Sequence, residues 1–407
     1  MTTNNDEKKS IFGKFFQEGQ FLMGDPELRN QPPPPRAEWP VIWRWMPTRL
    51  YGAIIWRRTF VFAALFPAFL VVTAWLIAMG VTDRWWIFTN DDPEYWPIAP
   101  VMTAGSFIAG ASSEGGASVA FPIMTLVLDV KPAVARDFGL LIQSIGMTAA
   151  SFLILYLKIE IEPRAIPPAL LGGMGGVLLA FEYLEENLTP KYVKIIFVSV
   201  WFTYVIALLL LNRRTFLGKP RRIFLRLVSP NWWKYLILGV AGFGGGILSG
   251  LTGSGVDLAS FSVLTLLFNV SEKTATPTSV IQMALISIFG ACYKAVRGTI
   301  ADEAVNYFLC ACPIVVFGAP LGAYCISFCH RLVHCITVVT LDTAQFVTAL
   351  IVVDMDTGLW ITVAVTVVIG GILWAIVAYL GVRFLSFQRA KGHLVHKESP
   401  DGSLEQS

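Results

Sequence analysis

The sequence predicts an all-α polytopic membrane protein: an inverted-topology repeat with about eight full transmembrane helices and two broken, re-entrant helical segments. Three observations carry this reading. First, 55% of the 407 residues are hydrophobic and only 14% charged, whereas about a quarter of an ordinary soluble domain is charged, so the excess apolar surface needs a lipid bilayer as partner. Second, apolar runs near the roughly 20 residues that cross about 30 Å of hydrocarbon occur at 59–80, 137–157, 165–181, 192–211, 277–296, 304–326, 332–353 and 358–380. Third, two longer apolar stretches, 98–128 and 235–268, align with each other at an ungapped offset of 140 residues.

Taken in order, the first 55 residues are too polar to span and run through Lys8, Lys9 and the proline tract 32–35. They read as a cytoplasmic tail with a stiff extended linker, not as a cleavable signal. Ile11, Phe12, Phe15 and Phe16 recur at helical spacing beside Lys14, a pattern that suits a short interfacial helix as well as a tail carrying a few aromatics. Residues 56–96 then hold the first span and an outer loop, 97–211 the first repeat, 212–234 a basic loop, 235–353 the second repeat, 354–384 the last span and 385–407 a second tail.

Loop charge sets orientation, because cytoplasmic loops are enriched in Lys and Arg. The segment 212–234 carries Arg213, Arg214, Lys219, Arg221, Arg222, Arg226 and Lys234 without an acid, and the flanks carry Arg44, Arg49, Arg57 and Arg58 before the first span and Arg383, Arg389, Lys391 and Lys397 after the last. Both termini are therefore expected inside a plasma membrane or bacterial inner membrane. Opposite lie Asp83, Asp91, Asp92 and Glu94, then Glu182, Glu185 and Glu186, then Asp354 and Asp356; Lys131 and Arg136 run against this trend. Tryptophans at the proposed boundaries, among them Trp56, Trp85, Trp96, Trp232 and Trp360, fit an interfacial belt. Net charge is +3, too balanced for a nucleic-acid partner.

The two long stretches would exceed about 45 Å as unbroken helices, and the loop charges require each to return to its own side. The breaks are Ser112, Ser113, Glu114, Gly115 and Gly116 in one, and Thr252, Gly253, Ser254 and Gly255 in the other, residues that permit non-helical backbone. The offset pairs Gly105 with Gly245, Gly110 with Gly250, Gly115 with Gly255, Phe121 with Phe261 and Thr125 with Thr265. Three full spans separate the copies, so the second is expected upside down, as in secondary transporters whose sites form where interrupted helices meet. Glycine also serves close packing in membrane helices, which explains any one pair but not the aligned set. Ending a helix in the bilayer strands backbone groups that only protein or a wet cavity can satisfy. Half-helices starting near Gly116 and Val256 would offer N–H groups and a positive dipole end to a small anionic substrate, with hydroxyls from Ser112, Ser113, Thr252 and Ser254. Gln143 and Gln282, near the start of the spans that follow each break, read as pore-lining donors or as interhelical hydrogen bonds.

The run 105–122, with its small-residue break before Phe121 and Pro122, and the run 242–268 followed by Ala275, Thr276, Pro277, Thr278 and Ser279 resemble the paired signatures of the sulfite exporter TauE/SafE family of membrane permeases. The resemblance covers roughly 97–353. It implies transport of sulfite, sulfoacetate or related sulfonates and carboxylates without a tightly bound cofactor. The second copy matches the family pattern well, whereas the glycine-rich turn of the first reads Ser112, Ser113, Glu114, Gly115, Gly116, placing an acid at the expected anion site.

An acid at mid-membrane costs at least about 2.5–3.5 kcal/mol on insertion scales and asks for a reason. For Glu114 and Asp257 the readings are a proton-coupling carboxylate or a cap on a half-helix start. Asp342, central in its span, reads as a third coupling candidate or as a buried partner of Lys294 or Arg297. A protonated Glu114 could donate to an anion that its ionised form would repel, so proton and anion would travel together. Cys325, Cys329, His330, His334 and Cys335 contain two i, i+4 pairs, but these point about 100° apart on one helix, so no metal site is expected. None of the six cysteines precedes Cys292, which does not describe a disulfide framework. Asn187, Leu188 and Thr189 form a glycosylation sequon on the expected outer face, followed by Pro190. No Walker lysine, H-E-x-x-H or G-x-S-x-G motif occurs, so catalytic residues and an enzymatic role are not expected; the rival class is a receptor or assembly factor on a transporter-like scaffold.

The topology makes a direct prediction. In a cysteine-free background, a cysteine at position 90 should react with a membrane-impermeant maleimide from outside and one at 220 only from inside; labelling of both from one face would overturn the arrangement.

Overall fold

A computed structural model describes residues 60–89, 94–112, 114–216, 221–227, 231–326, 331–390, 396–398 and 404–406. The expected tail with its interfacial helix and proline linker, Trp56, Asp91, Asp92 and Ser113, and Cys329, His330 and the side chain of His334 lie outside the described residues. Among those described, twelve α-helices follow one another: α1 Phe60–Thr82, α2 Ile98–Ala111, α3 Ala117–Pro122, α4 Pro132–Tyr156, α5 Ile166–Leu179, α6 Pro190–Phe216, α7 Trp232–Thr252, α8 Val256–Ser262, α9 Glu272–Arg297, α10 Asp302–Ile326, α11 Arg331–Val352 and α12 Thr357–Ala390. Among the described residues nine spans are long and apolar enough to cross a membrane, α5 reaching that length with the turns that flank it, over Pro163–Leu184. Eight match the expected spans. The ninth is α7, the first arm of the second broken stretch, which starts at Trp232 and so gains three residues over the apolar run counted from 235; its counterpart α2 has only 14 residues.

Local structure repeats at the same offset as the sequence. Each short helix winds into a π turn, Ile123–Val127 after α3 and Val263–Leu267 after α8. In both, a threonine hydroxyl bonds the carbonyl four residues back, Thr125 to Phe121 and Thr265 to Phe261. Each turn ends on a residue with positive φ, Asp129 at 50° and Asn269 at 52°, two of the few side chains that tolerate that conformation. Proline at the first helical position then starts α4, where its missing N–H costs nothing.

Packing between the copies is reciprocal. The first helix of each copy crosses the fourth of the other, α7 on α5 and α2 on α10, while α4 meets α9 and α6 meets α11. Glycine brings the backbones together at the two crossings: a Cβ on Gly242 of α7 would stand 2.2 Å from the Ala169 carbonyl of α5, and one on Gly322 of α10 would stand 1.9 Å from the Phe107 carbonyl of α2. With no hydrophobic drive between helices in lipid, such close van der Waals contact is what holds them. α6 runs behind both short helices, with Phe197 against Phe121 at 4.8 Å between ring centroids and Tyr204 edge-on to Phe261 at 6.2 Å.

Loop contacts fall into two groups at opposite ends of α4. One end joins Arg84 to Asn306, Lys194 to Asp129, Arg136 to Glu185 and Lys191 to Asp354. The other joins Arg226 to Glu160, the Leu227 amide to Glu162, and Phe224 to Asn269 and Ser271. The second end also carries a feature the sequence did not announce, an antiparallel sheet of three short strands: β1 Arg221–Ile223, β2 His396–Glu398 and β3 Leu404–Gln406, with Arg222 opposite Lys397 and Lys397 opposite Glu405. α1 and α12 lie outermost, their exposed apolar faces carrying residues such as Phe69, Val81, Val368 and Ile369. α12 is clamped to the second π turn: Gly381 passes so close that a Cβ would stand 1.8 Å from the Leu266 carbonyl, and Asn269 Nδ2 donates to Gly381 O at 2.8 Å.

Candidate functional site

The first break leaves α2 at Ser112 in extended conformation, passes Gly115 at φ 74° and re-enters helix at Ala117. The second closes α7 with Gly253 at φ 90°, its N–H donating to Ser249 O, and passes Gly255 at φ 155° into α8. Such dihedrals suit residues without a Cβ. At Gly115 space forbids one as well: a Cβ would lie 2.8 Å from both Asp257 Oδ2 and Gln143 Oε1.

The two turns touch at repeat-equivalent positions. Ser254 Oγ donates to Glu114 O at 2.6 Å, across 140 residues of chain. Gln143 joins the pair from α4, its Nε2 donating to Gly253 O at 3.1 Å while Oε1 faces Gly115. Ser249 Oγ accepts the Val256 N–H at 3.2 Å, and Asp257 Oδ1 accepts the N–H groups of Gly255 at 3.1 Å and Leu258 at 3.0 Å. The start of α8, where an anion was expected, thus already holds the chain's own carboxylate. The cap reading of Asp257 matches this geometry, although Oδ2 turns towards the first break.

Asp342 of α11 completes the cluster. Its carboxyl lies close enough to those of Glu114 and Asp257 for the three to act on one another electrostatically. All three acids are essentially inaccessible. Among the described residues none of the three forms an ion pair, and Glu114 Oε1 and both Asp342 oxygens meet no donor. The alternative of Asp342 as partner to Lys294 or Arg297 is therefore corrected. Lys294, in the last turn of α9, reaches Asp137 at 2.9 Å, and Arg297 reaches Glu182.

The remaining candidates divide. Ser112 Oγ accepts the Glu114 N–H at 3.3 Å and supports the turn, while Thr252 Oγ1 is committed to the carbonyls of Leu248 and Ser254. Gly116 and Gln143 border a small cavity between α2, α4 and α10, together with Ser106, whose hydroxyl has no partner among the described residues. Gln282 stays apart from the breaks, donating to Ala165 O at 3.0 Å ahead of α5, as its interhelical reading required. Sequence reasoning missed Ser249, and it missed that Arg136, counted as a stray loop charge, is buried in α4 against Asp137 and Glu185. The adjacent opposite charges at the head of an apolar run were the available signal.

The family model for the sulfite exporter TauE/SafE matches residues 98–344, more than half of the chain and a span that contains every residue of this cluster. No curated protein and no solved structure matches the chain.

The contact between the breaks can be tested alone. Ser254→Ala leaves the buried Glu114 carbonyl without its donor, and should lower stability by about 1–3 kcal/mol, read as a fall in the thermal unfolding midpoint in detergent. An unchanged midpoint would show that the turns do not depend on each other.

Proposed function

The chain belongs to the sulfite exporter TauE/SafE family of membrane permeases, and on that premise we propose that it is a secondary transporter of small anions, working by alternating access around the paired breaks. Sulfur oxyanions, organosulfonates or related carboxylates are the substrate class. The observation that carries the reading is the Ser254–Glu114 contact, in which the two interrupted segments meet at equivalent positions of the repeat. The reciprocal helix crossings support two halves, 97–211 and 235–353, related by a two-fold axis. The loop contacts support segments that return to their own side, since the loops flanking the first break belong to one group and those flanking the second to the other. With the basic loop 212–234 inside, both termini of this multi-pass protein are cytoplasmic.

The mechanism follows from what already fills the site. Asp257 occupies the Gly255 and Leu258 amides and is also reached by the Ser254 hydroxyl, at 3.3–3.4 Å. The two amides are donors of the kind an oxyanion takes at a helix start, while the single hydroxyl hydrogen of Ser254 is already given to the Glu114 carbonyl. An arriving anion competes for the amides, and a proton on Asp257 weakens its hold. Glu114 and Asp342 face each other with no ion-pair partner among the described residues, and two ionised carboxylates so placed repel, so a proton held by one of them favours their approach. A protonated Glu114 donates to the anion, whereas an ionised one excludes it. Proton and anion then cross together, and uptake rises as the pH falls on the side from which substrate loads.

Flux of labelled sulfite into proteoliposomes tests the assignment. Gly115→Leu drives a side chain into Asp257 and Gln143 and should abolish flux while membrane insertion persists; wild-type rates in that variant, or no flux from the wild type with any sulfur oxyanion, would favour the receptor on a transporter-like scaffold. Coupling has its own test. Glu114→Gln, which mimics the protonated form, should keep exchange but lose pH dependence and proton-driven accumulation. Full proton-coupled uptake in Glu114→Gln would reduce that carboxylate to a helix cap and move the coupling role to Asp257 or Asp342.

A further inference from the structure

We propose that Arg136 and Lys294 form a second anion-binding position, lying between the break tips and the end of the molecule that carries Glu185 and Ala301, and closed in this conformation by the chain's own acids. The inference rests on the transport reading for its role in flux, but its binding chemistry stands on geometry alone. The two cations come from opposite copies of the repeat, α4 and α9, and their side chains are 3% and 6% exposed. Asp137 Oδ1 accepts from Arg136 Nε and Nη2 at 3.0 and 2.8 Å and from Lys294 Nζ at 2.9 Å, and Oδ2 accepts the Ala301 N–H at 3.2 Å. Every strong contact of Asp137 is thus committed, and it is buried; it is the fixed member.

Glu185 is the exchangeable one. It reaches the cations through Oε1, at 2.8 Å from Arg136 Nη2 and 3.7 Å from Lys294 Nζ, and its side chain is 31% exposed. It follows the π turn Ala180–Leu184 that ends α5, a helical form found mostly as single turns and often at functional sites. The Phe181 ring on that turn lies 5.5 Å from the Arg136 guanidinium and 5.4 Å from the Lys294 ammonium, giving the cations an apolar floor that strengthens any anion contact above it. A guanidinium edge beside an ammonium matches the oxygens of a sulfite or sulfonate group. Two cations against Asp137 and one exchangeable anion remain neutral whether that anion is Glu185 or substrate. The position also adjoins the breaks: the Arg136 carbonyl flanks Gly253, where a Cβ would come within 3.1 Å, and Gly139, one turn further, packs on the same glycine. Displacement of Glu185 by an anion would loosen the end of α5 from α4 while Glu182 stays held by Arg297 of α9, opening a path to the tips, so substrate itself works the gate.

Purified protein in detergent and in proteoliposomes, with sulfite as the probe, provides the test. Glu185→Gln removes the resident competitor. The KM for sulfite from that face should fall about fivefold, as expected when the competent fraction rises, with kcat changed less than twofold. Sulfite should also raise the thermal midpoint of Glu185→Gln more than that of the wild type. Lys294→Gln should raise KM about tenfold or more, and Lys294→Arg should restore it. A KM within twofold of wild type in Glu185→Gln together with equal thermal shifts would overturn the proposal, as would KM and kcat that fall together, the mark of a purely structural bridge. Should Glu185→Gln not reach the membrane, Glu185→Asp, which shortens the acid by one methylene, must shift the midpoint in the same direction or the idea fails. A wild type that moves no sulfite removes the transport reading while the thermal arm still decides the cation pair.

Discussion

A helix that stops inside a bilayer leaves amides and carbonyls that no water reaches, and the organisation of this protein follows from how those groups are met. The two breaks meet them largely with each other. Ser254 of one satisfies the Glu114 carbonyl of the other, and Gln143 takes the Gly253 carbonyl while facing Gly115. Asp257 and Ser249 serve the amides at the head of α8. Neither turn has this set of partners alone, so the two copies are bound at their weakest points. The long helices then act as a frame, with the α5–α7 and α2–α10 crossings bringing backbones into contact and α6 bracing both short helices from behind.

The same groups are the reason for placing the proposed site there. Backbone donors released from one partner need another at once, and the candidates within reach are carboxylates, hydroxyls and an incoming oxyanion. Conformational change at such a place is an exchange of partners and not a loss of them, which keeps the alternatives close in energy. The Arg136–Asp137–Glu185–Lys294 network follows the same logic with full charges. Its internal neutrality permits burial, whereas removing one member would leave an uncompensated charge in a low-dielectric setting.

Much of this was legible in the sequence because the repeat is a one-dimensional pattern whose consequences are local. Gly115 and Gly255, the π turns, and the positive-φ residues Asp129 and Asn269 all recur at the offset that the glycines announce. What depended on azimuth or distance was not legible. Gln282 and Gln143 were both read as pore-lining donors or interhelical hydrogen bonds, yet the residue 140 places on from Gln143 is Met283, and one position on a helix is about 100° of rotation. Met283 points to Ser249, while Gln282 turns to Ala165. Asp342 could be seen to be an intramembrane acid, but its meeting with Glu114 joins segments more than 200 residues apart, beyond any local rule. Arg136 was misplaced because loop-charge counting weighs a cation by position and is blind to the acid beside it.

The clamp between α12 and the second π turn has a mechanical side. α12 has 34 residues, about 51 Å at the rise of an α-helix, against about 30 Å of hydrocarbon. An overlong, lipid-facing helix answers a change in bilayer thickness by tilting. Near its far end the Gly381 backbone lies on Leu266 and its carbonyl is held by Asn269, so tilt bears directly on the second broken segment. At the first π turn the Thr125 carbonyl is held instead by Lys194 of α6. Membrane thickness therefore bears on the second broken segment through this clamp, which makes lipid composition a lever on the region where the breaks meet.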